Sequence, residues 1–470
     1  MAATVGEKPG AAGVGVGCEL VQIGCSLEPT RTGPSSRSAE VARFFGVAPA
    51  GARVVLPDRS IEIGPGRIVA FVGHSGTGKS TALDMVESQV PHAHNISRMT
   101  FPPSRALIDS VAPRAALSEA MAALSQCALG EAQLWMRAYE ELSDGEKFRA
   151  RLARAIGFAS EGTAPGLLII DEFASGLHRR AAKSIAYNLR RLATRRGLAI
   201  VLATNNEDIL TDLQPDTQVN LKGGDQLAVV ERAPVHRAPS IWRRLRIDRG
   251  TRRDYDAFYQ MHYRTSDELG FVSKVFVLRE GKGGDPLGIC VYSHGPAKLA
   301  LRNAATDGRY TRDLKRLNRE VRILRRLVLH PDIRGCGIAH RFVRRTLPLA
   351  GTRYVECLAS MGAVNPVFER AGMKRIGVCK IPPKRQRVID EVHALGADPL
   401  SPDFEDEVCR RPKLREAVSQ LVAQWYEATT AGGETRVKRQ SSRMLARLFR
   451  NLVGSKPVYY LWERTGRDVA

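Results

Sequence analysis

The chain has 470 residues, of which 43% are apolar and 26% charged, and a net charge of +22. That composition excludes a chain disordered throughout, and at roughly 150 residues per domain the length suggests two or three domains. No apolar run approaches the roughly 18 residues of a membrane span, and the Gly- and Ala-rich start lacks the basic-then-apolar order of a secretory signal.

Charge is uneven along the chain. Residues 1–240 carry 26 Lys+Arg against 24 Asp+Glu, whereas residues 241–470 carry 45 against 25, so the second half holds +20 of the +22. A field of that size favours polyanions, DNA ahead of RNA. The eight cysteines stand singly with no CxxC pair, which argues against a zinc ribbon or disulfide framework and for reduced thiols in a cytoplasmic protein.

In chain order, residues 1–37 read as a flexible segment with a short strand at Leu20–Ile23. From 38 to 235, strands and helices alternate, as in a parallel sheet covered by helices. Ile68–Val72 is an apolar strand, and Gly73-His74-Ser75-Gly76-Thr77-Gly78-Lys79-Ser80 follows it and opens a helix. Glycines there let backbone N–H groups turn around phosphate, Lys79 reaches the β and γ phosphates, and Ser80 can ligate Mg²⁺. About 90 residues later the strand Leu167–Ile170 ends in Asp171 and Glu172, placing one acid beside Mg²⁺ and one to polarise a water.

Between them lies Leu142-Ser143-Asp144-Gly145-Glu146 before a helix. These ordered motifs resemble the ABC ATPases over about residues 40–230. The resemblance implies ATP held by Gly73, Ser75, Gly76, Gly78, Lys79, Ser80 and Thr81, with Ser143 and Gly145 of a second copy capping the γ-phosphate, hence an ATP-dependent homodimer. It also implies Mg²⁺ on Ser80 and Asp171, Glu172 as the catalytic carboxylate that polarises the attacking water, and a D-loop at Ser175–His178. Asn205 stands where that family has its switch histidine, and no Q-loop glutamine is evident. An amide can hold a phosphate but cannot carry a proton, so slow hydrolysis or a clamping role is expected. Lacking membrane helices, the chain is not expected to transport anything alone, nor to have a membrane partner.

Residues 241–380 form a second α/β pattern, with strands expected at Lys274–Leu278, Leu287–Ser293, Leu324–His330 and Tyr354–Leu358. Arg334-Gly335-Cys336-Gly337-Ile338-Ala339 precedes a helix at 340–347, and Asn365-Pro366-Val367-Phe368-Glu369-Arg370-Ala371-Gly372-Met373 follows the last of these strands. This resembles the GNAT acetyltransferases. The resemblance implies acetyl-CoA bound by Arg334, Gly335, Gly337, Ile338, Ala339, Asn365 and Phe368. Met261-His262-Tyr263-Arg264 resembles the Mom-type branch, GNAT relatives that modify adenine in DNA, and implies catalytic roles for His262 and Tyr263. The branch's catalytic aspartate has no clear counterpart; Ser360 lies near its place and Glu356 is the nearest acid. The chain as a whole resembles ABC-type ATPases fused to an acetyltransferase-like domain.

Residues 381–470 read as a mainly helical, basic extension, for example Arg436 to Arg450. The expected architecture is therefore α/β: a P-loop ABC ATPase domain, a GNAT-like domain and a helical basic tail. The expected function is an ATPase coupled to acyl transfer onto a nucleic-acid base. Two alternatives stay open: an acetyltransferase for a small-molecule or protein amine, and a DNA-binding repair or defence ATPase with an inert GNAT-like domain.

Overall fold

The computed structural model describes residues 17–28, 35–46, 53–91, 93–161, 166–223, 226–235, 237–261, 269–380, 383–401, 403–427, 440–453 and 456–465. The chain packs as two compact units, one of residues 1–268, 275–290 and 327–342, the other of 269–274, 291–326 and 343–470.

The first half runs β1 (Glu19–Leu27), α1 (Ser36–Phe45), β2 (Arg53–Ile63), β3 (Ile68–Val72), α2 (Lys79–Gln89), β4 (His94–Asn95), α3 (Leu107–Val111), α4 (Leu117–Gln126), α5 (Ala132–Trp135), α6 (Asp144–Glu161), β5 (Leu167–Ile170), α7 (Arg179–Arg196), β6 (Ala199–Thr204), α8 (Leu210–Leu213), β7 (Thr217–Gly223) and β8 (Gln226–Glu231). Six strands form a sheet in the order β4-β5-β6-β3-β7-β8. β3 pairs in parallel with both β6 and β7. Every residue of β3, β5 and β6 is buried, because a parallel strand covered on both faces has no polar side to offer water. Ala70, Ile170 and Leu202 pack under α4, α6 and α7. Val69, Phe71 and Leu167 pack under β1, β2 and α2.

The expected short strand at Leu20–Ile23 is longer here. β1 pairs antiparallel with β2 from Glu19 opposite Ile63 to Leu27 opposite Arg53, burying Val21, Ile23, Leu56 and Ile61. Alternating residues inside a Gly- and Ser-rich neighbourhood concealed it.

The second half runs β9 (Leu245–Gly250), β10 (Val272–Glu280), β11 (Pro286–Ser293), α9 (Ala300–Ala305), α10 (Leu314–Glu320), β12 (Val321–Leu329), α11 (Ile338–Thr346), β13 (Tyr354–Ala359), α12 (Val367–Arg370), β14 (Lys374–Val378), α13 (Pro383–Ala394), α14 (Phe404–Arg410), α15 (Pro412–Glu427), α16 (Ser442–Val453) and β15 (Val458–Glu463). Its seven strands follow the order β14-β15-β13-β12-β11-β10-β9. β12 and β13 are parallel, and their register covers only Val321, Arg322 and Ile323 opposite Tyr354, Val355 and Glu356.

The expected helical extension needs one correction. Among the described residues four helices do occupy 383–453, packed together through Val392, Phe404, Val418 and Phe449. The chain then returns as β15, antiparallel to both β13 and β14. The helices are thus an insertion between two neighbouring strands of one sheet rather than a free tail. Arg436 lies outside the described residues. Arg443, Arg447 and Arg450 pair with Asp406 or Glu405 at 3.0 to 3.3 Å, so this helix compensates its charge internally.

Candidate nucleotide site

The turn from β3 into α2 has left-handed backbone at Gly76 (φ 78°) and Gly78 (φ 91°), which glycine adopts without strain. A side chain at Gly73 would put its Cβ 2.3 Å from the Leu221 carbonyl oxygen, so the start of the turn also requires glycine. The Thr77 hydroxyl donates to the His74 carbonyl at 2.9 Å, and Lys79 Nζ donates to the same oxygen at 2.5 Å. These bonds curl the loop across the N-terminus of α2, where unpaired N–H groups and the helix dipole favour an anion. Burial pushes the Lys79 ammonium pKa down, opposed by the charges of Asp171 and Glu172.

A cavity of about 320 Å³ lies beside this turn, lined by Ser75, Gly76, Gly78, Lys79, Ser80, Thr81, Asp171, Glu172, Ser175 and Asn205, with Leu27, Arg53 and Val55 from β1 and β2. Chain segments far apart in sequence therefore converge on one space. Glu172 has φ 47° and Ala174 φ 70°, both in the left-handed region. Such backbone is costly for residues with a Cβ and persists only where surrounding contacts impose it. Here the Phe173 N–H donates to the Ala203 carbonyl at 2.8 Å and the Thr204 hydroxyl to the Phe173 carbonyl at 2.9 Å. The strand β6 thereby holds the turn that delivers Glu172 and Asn205 to the cavity.

Ser80 and Asp171 supply hard oxygen donors to the same cavity. Among the described residues no group of three His, Cys, Asp or Glu is placed to hold a metal. That set suits Mg²⁺, which takes few protein ligands and keeps phosphate and water for the rest.

Ser143 and Gly145 are not among the residues lining the cavity. They start α6, where the Ser143 N–H and hydroxyl donate to Glu146 at 2.9 and 2.8 Å. Glu146 is held below the usual carboxylate range: burial would raise it, and the bonds from Ser143 outweigh that. A Cβ on Gly145 would lie 3.5 Å from the Gly176 carbonyl oxygen, so signature and D-loop touch within one chain.

The second-half residues are placed as follows. His262 and Tyr263 lie outside the described residues. The Arg334 guanidinium donates to the carbonyls of Leu329, Gly130 and Met261 at 2.8, 2.6 and 2.8 Å. A Cβ on Gly335 would sit 2.2 Å from the Ser125 carbonyl oxygen, and Arg191 donates to the Gly335 carbonyl at 3.3 Å. Gly337 (φ 79°) has only the His340 ring near its Cβ position. Ile338 is buried and Ala339 half-buried at the start of α11. Asn365 is exposed, while Phe368 is buried with its ring 5.4 Å from that of Tyr460. Glu356 is fully buried and accepts from Arg302 at 2.7 and 2.8 Å and from the Tyr459 hydroxyl at 3.0 Å. It is a structural anchor with no lone pair facing water. Sequence reasoning missed Leu27, Arg53 and Val55, whose strands gave only a weak alternation signal.

No family model matches the chain. A zinc import ATP-binding protein ZnuC of Halorhodospira halophila is 30% identical over 193 residues, covering 38% of this chain and 70% of that protein. A ZnuC of Roseobacter denitrificans is 29% identical over 213 residues, covering 40% and 79% respectively. A solved ATP-binding cassette, dimeric and bound to ADP and Pi, is 16% identical with a TM-score of 0.34, covering 46% of this chain and 100% of its own. No helix among the described residues is long and apolar enough to cross a membrane. With the phosphate turn, Walker acids and signature in place, and relatives matching over about two fifths of its length, the chain belongs to the ATP-binding cassette (ABC) ATPase family.

Proposed function

We propose that two copies of this chain close around ATP and that nucleotide binding controls a transferase carried by the second half, acting on nucleic acid. The observation that carries the ATPase part is the convergence of Lys79, Ser80, Asp171, Glu172 and Asn205 on one cavity. Bound Mg²⁺ would neutralise phosphate charge from Ser80 and Asp171. Glu172 would orient a water toward the γ-phosphorus, whose bond to the bridging oxygen breaks as ADP leaves. Asn205 can donate to a phosphate oxygen but takes no proton, so hydrolysis is slow and the closed dimer long-lived. Closing the dimer requires the Ser143 hydroxyl to exchange Glu146 for a γ-phosphate oxygen of the partner's ATP. Size-exclusion chromatography tests this: Glu172→Gln at saturating ATP should run as a dimer, and a persistent monomer refutes the sandwich.

The transferase reading draws support from two features. At the turn after β12, Gly337 and the start of α11 present N–H groups, with the His340 ring 3.3 Å from the Cβ position of Gly337, a place for a diphosphate such as that of acetyl-CoA. In the sheet, β12 and β13 have a register of only three residue pairs. A parallel pair of such short register is one that an extended amide-bearing arm can enter by strand addition. Because Arg334 and Gly335 already contact backbone elsewhere, the diphosphate contacts are assigned to Gly337, Ile338 and Ala339. His262 and Tyr263 remain the proposed catalytic pair. Calorimetry with acetyl-CoA tests the site: Gly337→Trp should abolish binding, and equal affinity in the two proteins removes it. The transport named for the relatives is not proposed for this chain.

A further inference from the structure

The arginines at β9 differ from those in α16. Residues 243–253 hold six arginines against one acid, Asp248. Arg244 pairs with Glu280 at 2.9 Å. Arg246, Arg249, Arg252 and Arg253 are exposed, and among the described residues no ion pair or hydrogen bond engages their guanidinium groups. β9 is the last strand of its sheet, pairing with β10 through Leu245–Gly250 opposite Val275–Glu280.

Four unpaired arginines fall within eight residues, Arg246 and Arg249 on the edge strand and Arg252 and Arg253 at the start of the 3-10 helix that follows it. At about 3.3 Å per residue, Arg246 and Arg249 stand about 10 Å apart along the strand and on its opposite faces, and Arg252 and Arg253 follow within four residues. A polyanion matches such a cluster, since duplex DNA presents a charge for every ~1.7 Å of its axis. Guanidinium forks suit phosphate oxygens better than ammonium groups do. No large apolar side chain is exposed among the described residues 237–261, so this edge offers a lipid surface nothing to insert. The Asp254 carboxylate, the nearest acid beyond the strand, is already engaged by Thr251 and Arg279.

We infer that the β9 edge and the start of the 3-10 helix after it form a docking ridge for the phosphate backbone of nucleic acid, with Arg246, Arg249, Arg252 and Arg253 as its contacts. The inference rests on the reading that the partner is nucleic acid, and it moves the contact from the helical insertion, where Arg443, Arg447 and Arg450 are paired, to the sheet edge. Each phosphate contact contributes about −0.9 to the log–log slope of affinity against salt on duplex DNA.

The test uses the full chain in three forms: wild type, the R246Q/R249Q/R252Q/R253Q variant, and an R443Q/R447Q control in α16. Anisotropy of a labelled duplex is titrated from about 50 to 300 mM KCl, the range in which phosphate contacts dominate. Equal circular-dichroism melts and equal ATP affinity establish that all three fold. The expected result is a slope shallower by about 3 to 4 in the four-site variant, with the control unchanged. A steep wild-type slope retained by the four-site variant overturns the ridge and leaves nucleic acid as partner. No duplex or single-strand binding by wild type overturns both. Loss of binding to phosphatidylserine vesicles without any effect on duplex assigns the edge to a membrane and overturns the ridge. Self-association of the variant with undiminished duplex affinity makes the arginines guards of an open strand edge, again overturning it.

Discussion

Glu172, the proposed catalytic carboxylate, shows at the scale of a single residue how a side chain is placed by backbone in the left-handed region. Its φ of 47° is held by the bonds of Phe173 with Ala203 and Thr204, the last two residues of β6, not by its own preferences. Glu172→Gln keeps the backbone geometry and removes the carboxylate. We expect ATP affinity within a few-fold of wild type and hydrolysis slower by roughly 10²- to 10⁴-fold, the range for a lost acid–base group, in a steady-state phosphate assay. Lys79→Ala removes the only lysine among the described residues lining the cavity. A charged hydrogen bond is worth about 1.5–3 kcal/mol, so ATP affinity should fall roughly 10- to 150-fold by fluorescent-nucleotide titration. Glu320 reports on pH. Burial would raise it, but bonds from Tyr310, Arg316 and Arg309 hold it at about 2. Its unfolded value is about 4.3, so its contribution to stability is complete above that value and disappears as pH falls toward 2. Glu320→Gln should flatten the acid limb of a denaturation-versus-pH curve, and an unchanged limb refutes the assignment.

At the scale of elements, the seven-stranded sheet depends on a strand that arrives last. β15 supplies Tyr459, whose hydroxyl reaches Glu356, and Tyr460, whose hydroxyl reaches Glu369 at 2.7 Å. Removing residues 454–470 should strip β13 and β14 of their common neighbour and abolish cooperative melting of the second half by calorimetry. Within the same sheet, the fully buried Arg302–Glu356 pair behaves as an all-or-none unit. Glu356→Leu alone leaves an uncompensated cation and should cost about 3–5 kcal/mol, whereas Arg302→Met with Glu356→Leu should recover much of it. If the double variant is no better than the single, the pair is not the source of the loss. The turn after β12 is a third case: Gly335 is the residue whose Cβ would collide with the Ser125 carbonyl, and Arg334 is bonded to Gly130 beside it. A glycine expected to cradle phosphate is here also a packing contact.

For the whole molecule, the +20 of the second half is not distributed as composition implies. Arginines of the helical insertion are matched to Glu405 and Asp406, while those of β9 are unmatched. Total charge fixes long-range attraction, and the location of unpaired charge decides where contact occurs. If nucleotide drives the proposed dimerisation, two copies would bring two of the proposed ridges to one polyanion and raise its effective affinity by multivalency. Duplex affinity measured with ATP should therefore exceed that without nucleotide in the Glu172→Gln protein, and nucleotide-independent affinity would separate the two activities.

The local motifs were legible in the sequence because their chemistry is written in consecutive residues. Gly73–Ser80 needs glycines where backbone turns around phosphate, and Leu167–Glu172 needs an apolar strand to carry acids into a cavity. The alternating order of β3, α2, β5, α7 and β6 followed from apolar runs that only a doubly covered parallel strand tolerates. Three things required the fold. β15 joins β13 across an insertion that no local pattern spans, because strand pairing is a matter of register between distant segments. Leu27, Arg53 and Val55 enter the nucleotide cavity only because the β1–β2 pair lies beside the phosphate turn. The division between paired and unpaired arginines is invisible in composition, since an ion pair depends on which acid the tertiary structure brings within reach.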